Sequence, residues 1–597
     1  MRKLLILLLA LCCTAYSDDL LIEAESFSNR GGWKLDTQFI QIMGSPYMMA
    51  HGLGKPVDDA TTSFEVKTAG KYKVWVRTKD WVAPWKAPGT PGRFNVLING
   101  KKLATEFGIE GAEWHWQDGG IIDLKAGENQ IGLHDLTGFN GRCDAIYLSS
   151  DLEAKPDNSN EVLTDWRKDK LGIADRVKVK DGYDLVVVGG GYGGLGAALS
   201  AARMGLKVAL IQNRDVLGGN GSSEVMVWAQ GKFPESEYKF HEIILEFRDY
   251  AKASPGYIDE FGDDKKDKLV RAEKNIDLFL GHHAYGIHKD GRKIEAVDVM
   301  NVRTQEVLRF KGKFFSDSTG HGYLLEWAGA TGTLKDKGRM GMSNMWRWQE
   351  TKEPTKFPDT PWALDLNEGE FPYPKKHHAQ WFWESGYDKH PFNDLELIRD
   401  WNLRANFGAW NAIKNRDAYY RYDKTGNKHA NAELMWMAYV GGPRETKQFE
   451  GDILVEEKDV VSQRKYPDSC VLATWSIDLH YPKQQYMKKF PDNPFISYAV
   501  HGKGVDRKKG YAFPYRSFYS KDFDNLFIAC RALSVTHEAL GTIRVMNTLG
   551  MVGVAVGRAC RVAVENNTTA RGVYEKHLDQ AKELWKLPGK ARKEFKR

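Results

Sequence analysis

From residue 19 to about 151 the chain alternates apolar and polar positions in short runs, among them FEVKT, KYKVWVRT, RFNVLING and IIDLKAGENQIGLHDL, separated by Gly, Asn and Pro turns. A period of two places one strand face in a core and the other in water. Strands this short and closely spaced predict an all-β sandwich or jelly roll over 19–151. Residues 152–182 are polar and charged, with weak helical periodicity near their end, and predict a linker packed on the surface. At Asp181 the pattern changes. YDLVVVGGGYGGLGAALSAARMGLKVALIQ reads as a buried strand, a glycine turn, an amphipathic helix and a second buried strand, which is one βαβ unit. Meander-like segments follow, then a Trp-rich stretch of little periodicity (about 340 to 500), a final strand–loop–helix, and a helical tail over 566–597.

At the N-terminus Arg2 and Lys3 precede the apolar run LLILLLALCC, and Ala15-Tyr16-Ser17 offers a small-residue cleavage site. This predicts a signal peptide over 1–17 and a secreted or periplasmic protein. The run is too short to span a bilayer, and no later stretch reaches the roughly 20 apolar residues a span needs. With 42% hydrophobic and 27% charged residues, the chain is neither disordered nor collagen-like. Its 85 basic and 79 acidic residues leave +6 without a basic block, which argues against a nucleic-acid partner. Trp81, Trp85, Trp114 and Trp116 lie on or beside loops of the β-rich region, where rings either stack on sugars or seal one domain against the next. Cys143, Cys470, Cys530 and Cys560 are widely spaced, with no CxxC or HExxH pattern, so buried free thiols are expected rather than a zinc or thiol redox centre.

Gly189, Gly191 and Gly194 follow the strand LVVV directly and open a helix, the context in which GxGxxG binds a dinucleotide. The glycines permit the tight turn, the approach of backbone to the pyrophosphate and close helix–strand packing. The second strand ends at Gln212, where an acidic residue would ordinarily grip the ribose. Three further stretches accompany the motif in order: RDVLGGNGSS with Gly218, Gly219 and Asn220; FFSDSTGHGYLLEWAGA with Asp317 and Gly320; and NLFIACRALSVTHEALGTIRVMNTLGMVGVAVGRA. The set resembles the FAD-dependent oxidoreductases of the glutathione-reductase-like superfamily, in particular an exported bacterial branch. The resemblance covers about 183–565. It implies an α/β FAD-binding Rossmann-like domain, made of parts about 183–330 and 510–565, with an α+β substrate domain at about 331–509. Carried over by position, Gly189, Gly191 and Gly194 hold the pyrophosphate, Gln212 meets the ribose, and the 218–220 loop covers the phosphates. Ala284 contacts adenine, Asp317 and Gly320 close the second half of the site, and Arg531, Gly550 and Met551 belong to the flavin end.

The β-rich region, opened by IEAESF and closed by RCDAIYLSSD, resembles carbohydrate-binding-module-like jelly rolls. In those, the equivalents of Glu23, Glu25 and Asp144 hold a structural calcium, an ion that seeks such oxygen ligands. Hydride abstraction from an alcohol also needs a base for the hydroxyl proton. His537, in the loop expected to face the flavin, is the first candidate, with Arg544 anchoring substrate or flavin charge. His480 in SIDLHYP is the second. His321 is expected to orient the cofactor, and His377 and His378 to be solvated. The leading expectation is a secreted flavoenzyme that oxidises a hydroxyl of a carbohydrate or glycoside, with an unidentified electron acceptor. A redox-neutral glycan lyase or glycosidase that uses flavin as a transient oxidant is the first alternative, and a glycan-binding protein with structural FAD the second.

Overall fold

The computed structural model describes residues 18–160, 164–173, 176–367, 371, 380–416, 429–502 and 506–595. The expected signal segment 1–17, His377 and His378 lie outside the described residues. The alternating region builds two four-stranded antiparallel sheets. One orders Asp19–Glu23, Ala145–Ser149, Gly70–Thr78 and His115–Leu124; the other orders Ala60–Val66, Gly127–Asp135, Phe94–Ile98 and Lys101–Lys102. Ile146 lies opposite both Ile22 and Val76, so apolar residues fall in line across the first sheet. They close one core with Val96, Ile131 and Leu133 of the second.

The α/β region forms one seven-stranded sheet. Ile276–Leu280, Val208–Gln212, Lys178–Val188 and Val307–Asp317 run parallel in that order, and Leu526–Ile528 adds a further parallel strand beside Val307–Asp317. The hairpin His282–Asp290 and Lys293–Asn301 completes the sheet. Buried parallel strands read as continuous apolar runs, which is why LVVV and VALIQ were legible. Helices Tyr192–Arg203 and Met546–Glu565 cross backbone to backbone. A Cβ on Gly553 would lie 1.9 Å from the Gly193 oxygen, and one on Gly196 would lie 2.3 Å from the Gly550 oxygen. Among the described residues no single helix is long and apolar enough to cross a membrane. All four described cysteines are buried and unpaired, as expected.

The two regions meet across a buried seam. A small sheet of Lys34–Asp36, Tyr47–Ala50 and Gly141–Cys143 faces the helix Leu395–Asn415 of the substrate region. Arg142 donates to both carboxylate oxygens of Asp400 at 2.8 and 2.6 Å and to Glu396 at 2.9 Å, while Arg399 donates to Asp36 at 2.7 Å. Trp81 packs edge-on to Trp362, Trp85 against Trp401, and the Trp114 indole donates to Glu396. These rings seal domain against domain. Trp116 packs instead on Tyr147 and Trp166.

The segment expected to be a surface linker is more than that. It holds the helix Asp165–Leu171, capped by the Thr164 side chain, and the first Rossmann strand already begins at Lys178. Arg167, on that helix, corrects the calcium expectation. Glu23, Glu25 and Asp144 do converge, with ligand atoms all within 4.8 Å of one another. The cation among them is the Arg167 guanidinium, which donates to Glu23 at 3.0 and 2.7 Å and to Asp144 at 3.0 Å. Arg77 donates to Asp144 at 2.6 Å, and Gln305 to Glu25 at 2.5 Å. Burial pushes Glu23 up to about 7, against the opposing pull of Arg167. Burial and the neighbouring carboxylates raise Glu25 well above the usual carboxylate range. Carboxylates already engaged by two buried guanidinium groups do not suit a divalent ion.

The melting midpoint is therefore expected to be the same with EDTA as with calcium. Arg167→Ala, by contrast, strands buried carboxylates and should cost about 3–5 kcal/mol in denaturant unfolding. An EDTA-sensitive wild type would restore the calcium site.

Candidate cofactor and active site

The strand Lys178–Val188 turns through Gly189 into the helix Tyr192–Arg203. Gly189 has φ +104°, and a Cβ there would lie 2.1 Å from the Ser318 carbonyl oxygen, so only glycine fits. A Cβ on Gly194 would lie 1.8 Å from the Gly189 oxygen, which is the close helix–strand contact expected of it. Gly191 is different. It is the helix N-cap, provides no side-chain cap, and a Cβ there would meet nothing within 4 Å. The uncapped N–H groups of this helix end thus border open space, the arrangement that binds phosphate.

That space is a cavity lined by Gln212, Arg214, His283 and Ala284, by Gly218, Gly219, Asn220 and Gly320 of the glycine loops, and by Arg531, Arg544 and Met546. Its polar groups suit FAD. His321 Nε2 and the Nε atoms of Arg531 and Arg544 are buried without a hydrogen-bond partner. Burial lowers Arg531 to about 10, and burial together with Arg531 holds His321 down at about 3. A neutral imidazole, two guanidinium groups and a bare helix end match a pyrophosphate and a ring system that gains negative charge on reduction.

Gln212 lines the cavity, and its amide also accepts from Gly190 N–H at 2.8 Å and donates to the Val216 carbonyl at 3.1 Å, which ties the glycine turn down. Asp317, Gly550 and Met551, three other expected cofactor residues, do other work. Asp317 is fully buried and accepts from the Leu324 and Leu325 N–H groups and from Thr319, capping the helix Tyr323–Ala328. It sets the course of the Ser318–His321 turn without lining the cavity. Gly550 and Met551 lie in the helix–helix contact, and Met546 and Leu549 of the same helix face the cavity instead.

A second cavity opens from the first. The two share Asn220, Pro443, Arg531, Arg544 and Met546, and the second continues between Trp228, Trp381 and Trp475 to Asp478 and His480. His480 lies on the strand Asp478–Pro482, which pairs with Ser497–His501. Its Nδ1 is 2.7 Å from Glu384 Oε2, and the Trp381 ring packs on it at 4.7 Å. Burial opposes the charge of Glu384, but Arg444 at 2.9 Å, His480 and the Gly341 N–H outweigh it and hold the carboxyl down at about 2. An ionised Glu384 can only accept, so the Nδ1 proton points to it and Nε2 faces the cavity. Nε2 has two neighbours. Arg544 Nη2, which can only donate, is 3.3 Å away, and Asp478 Oδ1 is 3.5 Å away. The first suits the neutral ring and the second the imidazolium. Burial likewise opposes the charge of Asp478, yet the His480 hydrogen bond and Arg544 keep it well below the usual carboxylate range.

His537, the first candidate base, is placed otherwise. It opens the helix His537–Ile543, is 8% exposed and faces Glu445, whose two oxygens lie 2.9 and 2.8 Å from Nδ1. It lines neither cavity. Of the candidates, the structure brings His480 and Arg544 together. Sequence reasoning missed Glu384, Arg444, Asp478 and the three tryptophans. The one available signal was the spacing of Asp478 and His480, two apart on a strand and hence on one face.

The model of the family described as FAD dependent oxidoreductase matches residues 184–582. The chain belongs to the FAD-dependent oxidoreductase family. Among individual proteins, leghemoglobin reductase of Glycine max is 31% identical over 185 residues, 30% of this chain and 32% of the reductase. The chain thus spans about a third of that relative's length. A solved geranylgeranyl bacteriochlorophyll reductase-like protein of Thermoplasma acidophilum aligns with 69% of this chain and 89% of its own, at 13% identity and TM-score 0.32. A family 35 carbohydrate binding module of Clostridium thermocellum aligns with 22% of this chain and 96% of its own, at 17% identity and TM-score 0.18.

Two outcomes follow from this oxidoreductase's cofactor cavity. Gly191→Val places a side chain in the cradle and nowhere else. It should keep the apoprotein's melting midpoint while FAD affinity falls at least about tenfold, ~1.4 kcal/mol, in fluorescence titration. Burial also holds His283 down at about 3. As pH falls from 6.5 toward 3 the unfolded chain takes up a proton that folded His283 refuses, so stability drops. His283→Gln should flatten the pH dependence of unfolding by about one proton.

Proposed function

We propose that this flavoenzyme oxidises a hydroxyl of a carbohydrate or glycoside, with His480 as the base. The observation that carries the reading is the position of His480 Nε2, in a cavity that joins the cofactor cavity at Arg531, Arg544 and Met546. FAD held by the residues lining the cofactor cavity would supply the hydride acceptor. The remaining chemistry belongs to the chain. Glu384, kept ionised by Arg444, holds the ring through Nδ1. Nε2 accepts the hydroxyl proton, and the imidazolium then gains Asp478 as a partner on the side where Arg544 had donated. Neutral base and charged conjugate acid are each provided for, with no rearrangement of the strand. Trp228, Trp381 and Trp475 line this cavity among polar groups, a composition that suits the apolar and hydroxyl parts of a sugar ring. An exported location rests on Arg2, Lys3 and the apolar run behind them.

Anaerobic mixing with mono- and disaccharides tests the reading: one class should bleach the flavin and yield a carbonyl product. His480→Ala should keep FAD yet slow reduction by about 10²–10⁴-fold, whereas His537→Ala should reduce at the wild-type rate per bound flavin. An unchanged rate in His480→Ala would return the role to His537.

A further inference from the structure

The β-sandwich forms part of the wall of the cofactor cavity, among residues that the second cavity, which holds His480, does not share. Gln38 and Phe39 line the cofactor cavity together with Arg214, His283 and Ala284 of the Rossmann region. Gln41 completes the wall from behind, with Nε2 3.1 Å from His283 Nε2 and 3.4 Å from the Ala284 carbonyl oxygen. An amide nitrogen can only donate, so this contact needs the unprotonated His283 nitrogen, consistent with the low pKa of that ring. The segment is fixed from several sides. The Gln38 amide donates to the Tyr439 carbonyl at 3.1 Å and accepts from Gly441 N–H at 2.7 Å. The Arg399 guanidinium lies 4.8 Å from the centre of the Phe39 ring, and Ile40 is buried with Met300, Val302 and Val307.

On the proposed reading of the second cavity as the alcohol site, the reactive ring would lie toward the residues both cavities share, Arg531, Arg544 and Met546. An extended dinucleotide laid across Gly191 would then carry its adenosine away from them, toward Gln38, Phe39 and Gln41. We propose that Gln38, Phe39 and Gln41 form the adenosine wall of the FAD site, and that the β-sandwich serves cofactor retention. Its contribution is built into the holoenzyme and does not depend on which alcohol is oxidised.

The test uses the full-length chain carrying Gln41→Leu or Phe39→Ala, the first keeping volume in case the second unfolds. FAD release from the holoenzyme is followed by recovery of flavin fluorescence on dilution. Full-length apoprotein is titrated with ADP, which probes the adenosine end, and with FMN, which probes the flavin end. FAD release should quicken and ADP affinity fall, each about tenfold, with FMN affinity unchanged in both variants and the apoprotein melting midpoint unchanged in Gln41→Leu. ADP affinity equal to wild type in both variants would overturn the proposal. So would an equal loss of FMN affinity, which would mark general loosening, or a wild-type apoprotein that binds no ADP.

Discussion

Six charges enclosed between the β-sandwich and the substrate region determine how everything else is arranged. The sandwich contributes Lys79, Arg142 and Asp36; the substrate region contributes Arg399, Glu396 and Asp400, and all six are nearly or fully buried. They form one connected set. Arg142 grips Asp400 and Glu396, Arg399 bridges Asp36 and Asp400, and the Tyr47 hydroxyl donates to Asp36 while accepting from Arg399. Three cations balance three carboxylates only when both halves are present, since the sandwich alone carries one excess positive charge and the substrate region one excess negative. Buried ion pairs contribute little net stability when complete, yet an uncompensated member costs several kcal/mol. The seam therefore specifies one docking geometry rather than adding much stability. The placing of the adenosine wall depends on that geometry.

How much of this could be read in the sequence follows from the same physics. Strand alternation and the glycine turn announce themselves because burial there is periodic, and the whole βαβ unit is found where VVVGGGYGGLG predicts it. The seam is silent. Arg142, Arg399 and Asp400 look like surface residues to any hydropathy pattern, because a buried charge differs from an exposed one only through its partners, and Arg142 and Asp400 are 258 residues apart. Arg167 is hidden in the same way, in a stretch whose polarity reads as linker. Trp81 and Trp114 carry the same residue type whether they stack on a sugar or close an interface; only the neighbours Trp362 and Glu396 decide.

The active site shows the complementary limit. His537 lies beside the cofactor strand in sequence, but its imidazole faces Glu445 and it lines neither cavity. His480 sits in the aperiodic region, held by Glu384 nearly a hundred residues earlier and facing Arg544 from the cofactor helix end. A base needs an orienting acceptor on one nitrogen and open space at the other, and that requirement is three-dimensional. Gly550 and Asp317 teach the same lesson for the cofactor: motif position placed them at the ligand, while packing and helix capping use them one layer behind it.

The sandwich itself is best understood by what its surfaces are committed to. Its loop tryptophans at 81, 85 and 114 face the substrate region, and the segment around Phe39 faces the cofactor cavity. A guanidinium carried on the connecting helix stands among the sandwich carboxylates, so buried ion pairs tie the sandwich to the segment that leads into the oxidoreductase region. In the proposed reaction, recognition of a sugar falls to Trp228, Trp381 and Trp475, which line the same cavity as His480, where binding energy can be used in the reaction instead of in anchorage.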